Sequence, residues 1–68
     1  MPTKVDKLKA VIGESGLKKS YIAECLGLSR AGYLKKENGE SEFVASEIQA
    51  LKRILSLSNS QVTDIFLS

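Results

Sequence analysis

Two short stretches of helical periodicity stand almost end to end, and that spacing constrains this chain more than any other feature. Leu17, Tyr21, Ile22, Cys25 and Leu26 mark the first, and Tyr33 and Leu34 the second, with Gly27-Leu28-Ser29 between them. So short a connection forces a sharp angle between the two helices. Gly27 can take the positive φ that such a turn needs. Ala23 is small where the helices must cross closely, and Ile22, Leu26, Leu28 and Tyr33 are the expected contacts between them. The predicted spans are about 19–26 and 30–37. The first lacks a good cap, because Lys18 stands where Ser or Thr serves best. Ser29 caps the second, so its first turn faces outward with free backbone N–H groups, an end that suits phosphates and base edges. Asn38-Gly39 ends it, and Gly32 inside it costs about 1 kcal/mol relative to Ala.

The rest of the chain reads as helix too. Val5, Leu8 and Ile12 share one face, with Thr3 as the expected cap and Gly16 as a left-handed stop, so a helix is predicted over about 4–15. Phe43, Val44, Ile48, Leu51, Ile54 and Leu55 form the longest apolar stripe, with a helix over about 45–55. Ser58-Asn59-Ser60-Gln61 matches a capping box, and a last helix over about 59–67 follows, with Val62, Ile65, Phe66 and Leu67 apolar. The only proline, Pro2, precedes every element, and no strand-like alternation, repeat or linker interrupts the pattern. The expected architecture is all-α, a single five-helix domain over residues 1–68.

Composition narrows the chemistry. The chain has 68 residues, no histidine and one cysteine. Histidine-based acid/base catalysis, Cys-His and Ser-His nucleophiles, Cys/His zinc sites and an internal disulfide are all excluded. No paired carboxylates or phosphate loop stand out, so the expectation is no enzyme, no cofactor and no metal. A chain this short without staples must hold by packing, helped or not by a second subunit. Cys25 reads as a small core residue. No apolar run is long enough for a membrane span. Met1 to Ala10 has lysines but no apolar core of a signal peptide, and a reducing, cytoplasmic setting is expected. The net charge of +2 is uneven. Residues 1–39 hold Lys4, Lys7, Lys9, Lys18, Lys19, Lys35, Lys36 and Arg30 against four acids, whereas residues 40–68 hold Lys52 and Arg53 against four. A basic front half points toward a polyanion, the alternative being a mixed solvated surface.

The segment Lys19–Gly39, KSYIAECLGLSRAGYLKKENG, resembles the helix-turn-helix of small phage regulators of the lambda-repressor and Cro type. The following ESEFVASEIQALKRIL resembles the helix that completes this domain in phages of Gram-positive bacteria. The likeness covers about residues 5–66. It implies a lambda-repressor-like five-helix fold that binds operator DNA as a dimer, in the cytoplasm of a bacterial host, at the switch between lysis and lysogeny. In length the chain is like a Cro, not a full repressor.

Carried over by position, the resemblance puts Lys18, Lys19 and Ser20 at phosphate and Ser29, Arg30 and Ala31 in the major groove. Lys35 lies further along that face, and Lys36, Asn38 and Gly39 lie where the chain meets the backbone again. Arg30 suits a guanine, through O6 and N7. Its other reading is an ion pair with Glu24 or Glu37. Val62, Ile65, Phe66 and Leu67 read either as core cover or as contacts to a second copy. The chain departs from the pattern at Ala31, where a Gln or other reader is common. It departs again at Lys36 and Glu37, where an apolar anchor is usual, and at Glu40, where a Lys often meets phosphate. Those changes leave Arg30 as the one strong reader and predict a recognition helix loosely anchored at its far end. They also motivate a second reading, an antirepressor that binds the phage repressor and blocks its DNA binding. In that reading Glu40 and Glu42, with Glu47, face a basic partner; otherwise they form a solvated surface.

Overall fold

A computed structural model describes residues 3–67. Met1, Pro2 and Ser68 lie outside them, and so does the expected position of Pro2 ahead of the first helix. Helix α1 spans Val5–Ser15, α2 Lys19–Cys25, α3 Arg30–Glu37, α4 Ala45–Ile54 and α5 Asn59–Val62, with a π-helical turn, Thr63–Leu67, continuing α5. Among the described residues there is no strand. The all-α expectation holds, and so do the approximate spans of the first four helices; the last, expected over 59–67, is α-helical only over Asn59–Val62.

Three of the helices end in the same device. In α2, the N–H of Leu28 bonds to the carbonyl of Ala23 (2.9 Å) and that of Gly27 to Glu24 (3.0 Å). In α3, Glu40 bonds to Lys35 (2.8 Å) and Gly39 to Lys36 (3.1 Å). In α4, Leu57 bonds to Lys52 (2.9 Å) and Ser56 to Arg53 (3.4 Å). Each is a Schellman pairing, whose pivotal residue must turn left-handed. Gly27 and Gly39 do so at φ 72° and 83°. In α4 the pivot is Ser56, at φ 52°, the one non-glycine residue with positive φ among those described. Composition offered no stop signal there, and the chain turns all the same.

The N-termini are less uniform. Ser29 and Ser58 cap α3 and α5, accepting from the N–H of Gly32 and of Gln61, each at 3.1 Å. The Gln61 side chain answers by accepting from the N–H of Ser58 at 2.9 Å, which completes the expected box. Thr3 does not cap α1. Lys4 holds that position without a side-chain bond, and its N–H instead donates to the carbonyl of Ile65 at 2.7 Å, tying α1 to the last turn. Asp64 strengthens this clasp by pairing with Lys7, at 2.5 Å, and with Lys4, at 3.7 Å.

Leu8, Ile12, Ile22, Ala23, Tyr33, Phe43, Leu51, Leu57, Ile65 and Phe66 form one buried cluster. Leu26 and Leu28 pack against it half-buried. An aromatic line runs through it. The Tyr33 and Phe43 rings lie 6.3 Å apart, and Phe43 and Phe66 meet edge-on at 5.6 Å, a geometry that adds to simple area burial. Cys25 is not part of this core. It is exposed with Tyr21, one turn earlier on the outer side of α2, while Ile22 and Ala23 face inward. The apolar stripe in the sequence was wider than the face that the fold could cover.

A left-handed non-glycine residue costs about 1–2 kcal/mol. Ser56→Gly is therefore expected to stabilise the fold by about 1 kcal/mol, read as a rise in Tm of about 4–8 °C for a domain this size. The hydrogen bond from Lys7 holds the Asp64 carboxyl below its ordinary pKa, and the charges of Lys7 and Lys4 act in the same direction. A carboxyl whose folded pKa is depressed stabilises the fold above its unfolded value, and the gain is lost as pH falls through the folded one. In an NMR titration, the Asp64 carboxyl should have its midpoint below that of free Asp, and Lys7→Met should move it upward.

Candidate nucleic-acid interface

The candidate surface is built on α2, the turn and α3. The tight turn lets α3 leave α2 at Gly27, and the Ser29 cap fixes where α3 begins. Arg30 and Ala31, the first two residues of α3, are both exposed. Gly32 behind them is half-buried, and a Cβ built on it would stand 3.2 Å from Ser29 Oγ, so the glycine keeps room for the cap. Lys18 and Ser20, at the start of α2, are exposed, and so are Lys35 and Asn38 at the far end of α3. Lys18, Arg30 and Lys35 make no ion pair among the described residues. Arg30 does not pair with Glu24 or Glu37.

Two of the expected phosphate contacts are engaged inside the protein. Lys19 Nζ donates to Glu37 Oε1 at 2.9 Å. Glu37 is 1% exposed, whereas the Lys19 side chain remains 45% exposed. Lys36 Nζ donates to Glu47 Oε1 at 2.6 Å, with the Lys36 side chain 16% exposed. The far end of α3 is therefore not loosely held. Where an apolar anchor was missing, Glu37 ties it to the first residue of α2, and Lys36 ties it to α4. Glu47 is correspondingly not a solvated acid. It is buried, and the oxygen that takes Lys36 also accepts the N–H of Val44 at 2.9 Å, which caps α4. The sequence signal for Glu47 was its place three residues after Val44, the Glu position of a capping box whose first member is not Ser or Thr. The signal for Glu37 was its spacing of four from Tyr33, one turn along the buried face of α3. Glu40 and Glu42 remain exposed.

Tyr33 is fully buried beside this acid. Burial raises the pKa of its hydroxyl far above the ordinary value, and the Glu37 carboxylate adds to the rise. Tyr33 Oη and Glu37 Oε2 are both sealed from solvent, and neither reaches hydrogen-bond geometry with a partner among the described residues.

Of the expected contacts to a second copy, the fold uses Ile65 and Phe66 in its own core, each 3% exposed. They are core cover and do not offer a surface. Val62 is half-buried, and Leu67 is 55% exposed.

No helix among the described residues is long and apolar enough to cross a membrane. Compared with known proteins, the chain matches no family model, and no curated protein or solved structure is significantly similar to it.

Breaking a buried pair from the solvent side leaves the buried charge uncompensated, at about 3–5 kcal/mol. Lys19→Met strands Glu37 and is expected to cost about 3 kcal/mol, the lower end, because Lys19 is itself half-solvated. Glu37→Met leaves only a lysine that can turn to water, so its cost should be smaller. Urea denaturation of the two variants reads this asymmetry.

Proposed function

We propose that this chain is a DNA-binding transcriptional regulator of the phage lambda-repressor and Cro type, with α2 and α3 as its helix-turn-helix. The observation that carries the reading is the first turn of α3. Arg30 and Ala31 stand exposed directly after the Ser29 cap, beyond a turn held by Gly27, while the opposite end of the same helix is locked by two ion pairs. A helix presented this way can enter the major groove by its N-terminal residues. Arg30 then reads guanine, and Ala31 offers a methyl group of its own to a thymine methyl. Lys18 and Lys35 flank it as phosphate contacts, and the exposed Ser20 and Asn38 are positioned as further polar contacts. The protein acts by occupying an operator, with no catalysis.

The pairing of Lys19 and Lys36 sets a quantitative expectation. The log–log salt slope for duplex DNA is about −0.9 per phosphate neutralised. With Lys18 and Lys35 on phosphates and Arg30 on a base, a monomer should lose about 12-fold in affinity between 50 and 200 mM salt, and a dimer with two such surfaces about 150-fold. Fluorescence anisotropy on a labelled duplex pool measures this. Arg30→Ala should weaken binding and leave the slope nearly unchanged, whereas Lys18→Met should make it shallower by about 0.9 per subunit. No binding at 50 mM salt would sink the DNA reading and leave the antirepressor, testable by co-elution with a phage repressor.

A further inference from the structure

Lys36 sits on the last turn of α3, next to the exposed Lys35, yet its ammonium is turned onto Glu47. Glu47 is held there by α4 itself, because its Oε1 also accepts the Val44 N–H. A carboxylate in the first turn of a helix is further favoured by the helix dipole. For Lys36 to reach a phosphate it must abandon a part-buried partner at 2.6 Å and leave Glu47 without its counter-charge, an unfavourable exchange.

We infer that Glu47 is a specificity-determining residue of the proposed DNA interface, because it withholds Lys36 from the phosphate backbone. The inference rests on the DNA-binding reading. Phosphate contacts add affinity at every sequence, whereas base contacts add it only at the right one. Each lysine neutralised internally therefore lowers the sequence-independent background and leaves the reading by Arg30 untouched. Glu47 touches no base. Its effect is on how much of the total affinity depends on sequence.

The test is salt-titrated binding to a random-sequence duplex by wild type, Lys36→Met, Glu47→Gln and the double variant, with circular dichroism to establish that each is helical. Gln serves at the same capping position as Glu, so Glu47→Gln keeps an acceptor for Val44 and removes only the charge. Lys36→Met should leave the wild-type slope unchanged. Glu47→Gln should steepen it by about 0.9 per subunit, an additional loss of about 3.5-fold for each subunit engaged between 50 and 200 mM salt. The double variant should return to the wild-type slope. A slope made shallower by Lys36→Met alone would mean that Lys36 already contacts phosphate, and it would overturn the inference. So would an unchanged slope in a folded Glu47→Gln, or a gain that persists in the double variant. If Glu47→Gln does not fold, the Lys36→Met slope decides alone. Failure of wild type to bind DNA at 50 mM salt overturns the DNA reading and this inference with it. That outcome is distinct, because no form then yields a slope.

Discussion

The arrangement of the molecule hangs on one carboxylate. Glu37 closes α3 inside the core, and a buried charge of that kind costs several kcal/mol unless a partner meets it. Lys19 meets it from the first residue of α2. Two helices joined by so short a turn are already fixed at the near end by Gly27 and the Ser29 cap. The ion pair fixes the far end, and with both ends set the angle between α2 and α3 has little freedom left. The Lys36–Glu47 pair extends the same constraint to α4. What remains unconstrained is the outward face of the first turn of α3, and that is where Arg30 and Ala31 stand.

Around this frame the core solves the problem of a short chain without a disulfide. Phe43 lies in the connection between α3 and α4, not in a helix, and its ring joins Tyr33 of α3 to Phe66 of the last turn. Three segments remote in sequence thereby share one aromatic line. The π-helical turn serves the same end. Its i→i+5 bonding brings consecutive side chains closer in angle than an α-helix does, and the adjacent Ile65 and Phe66 are both buried. Leu67 is then turned outward. The last turn is thus core material first, and any surface contact it makes falls to Leu67 and Val62.

Local chemistry made most of the fold legible. Ser29, and Ser58 with Gln61, mark helix starts because their side chains satisfy backbone donors within three residues. Gly16, Gly27 and Gly39 mark ends because only glycine turns left-handed without strain. Where the chain broke that habit, at Ser56, the stop was invisible. Thr3 does not mark the start of α1, because the N-terminal tie of that helix runs from Lys4 to Ile65, far along the chain. Cys25 is exposed although it lies on an apolar stripe: periodicity shows that a stripe is apolar and does not show how wide a strip the neighbouring helices cover. Within the candidate surface, the exposure of Ser29, Arg30 and Ala31 could be read from the cap. The commitments of Lys19 and Lys36 could not, since their partners lie 18 and 11 residues away.

By itself, then, the amino-acid sequence determined the helices, the tight turn between α2 and α3, and the residues at the head of α3, because capping, glycine conformation and periodicity act over a few bonds. Only the tertiary structure decided which lysines are free. A lysine on a helix surface looks the same in sequence whether it faces water, a phosphate or a carboxylate on another helix. That choice depends on which acids the packing buries nearby, and here it buried Glu37 and Glu47.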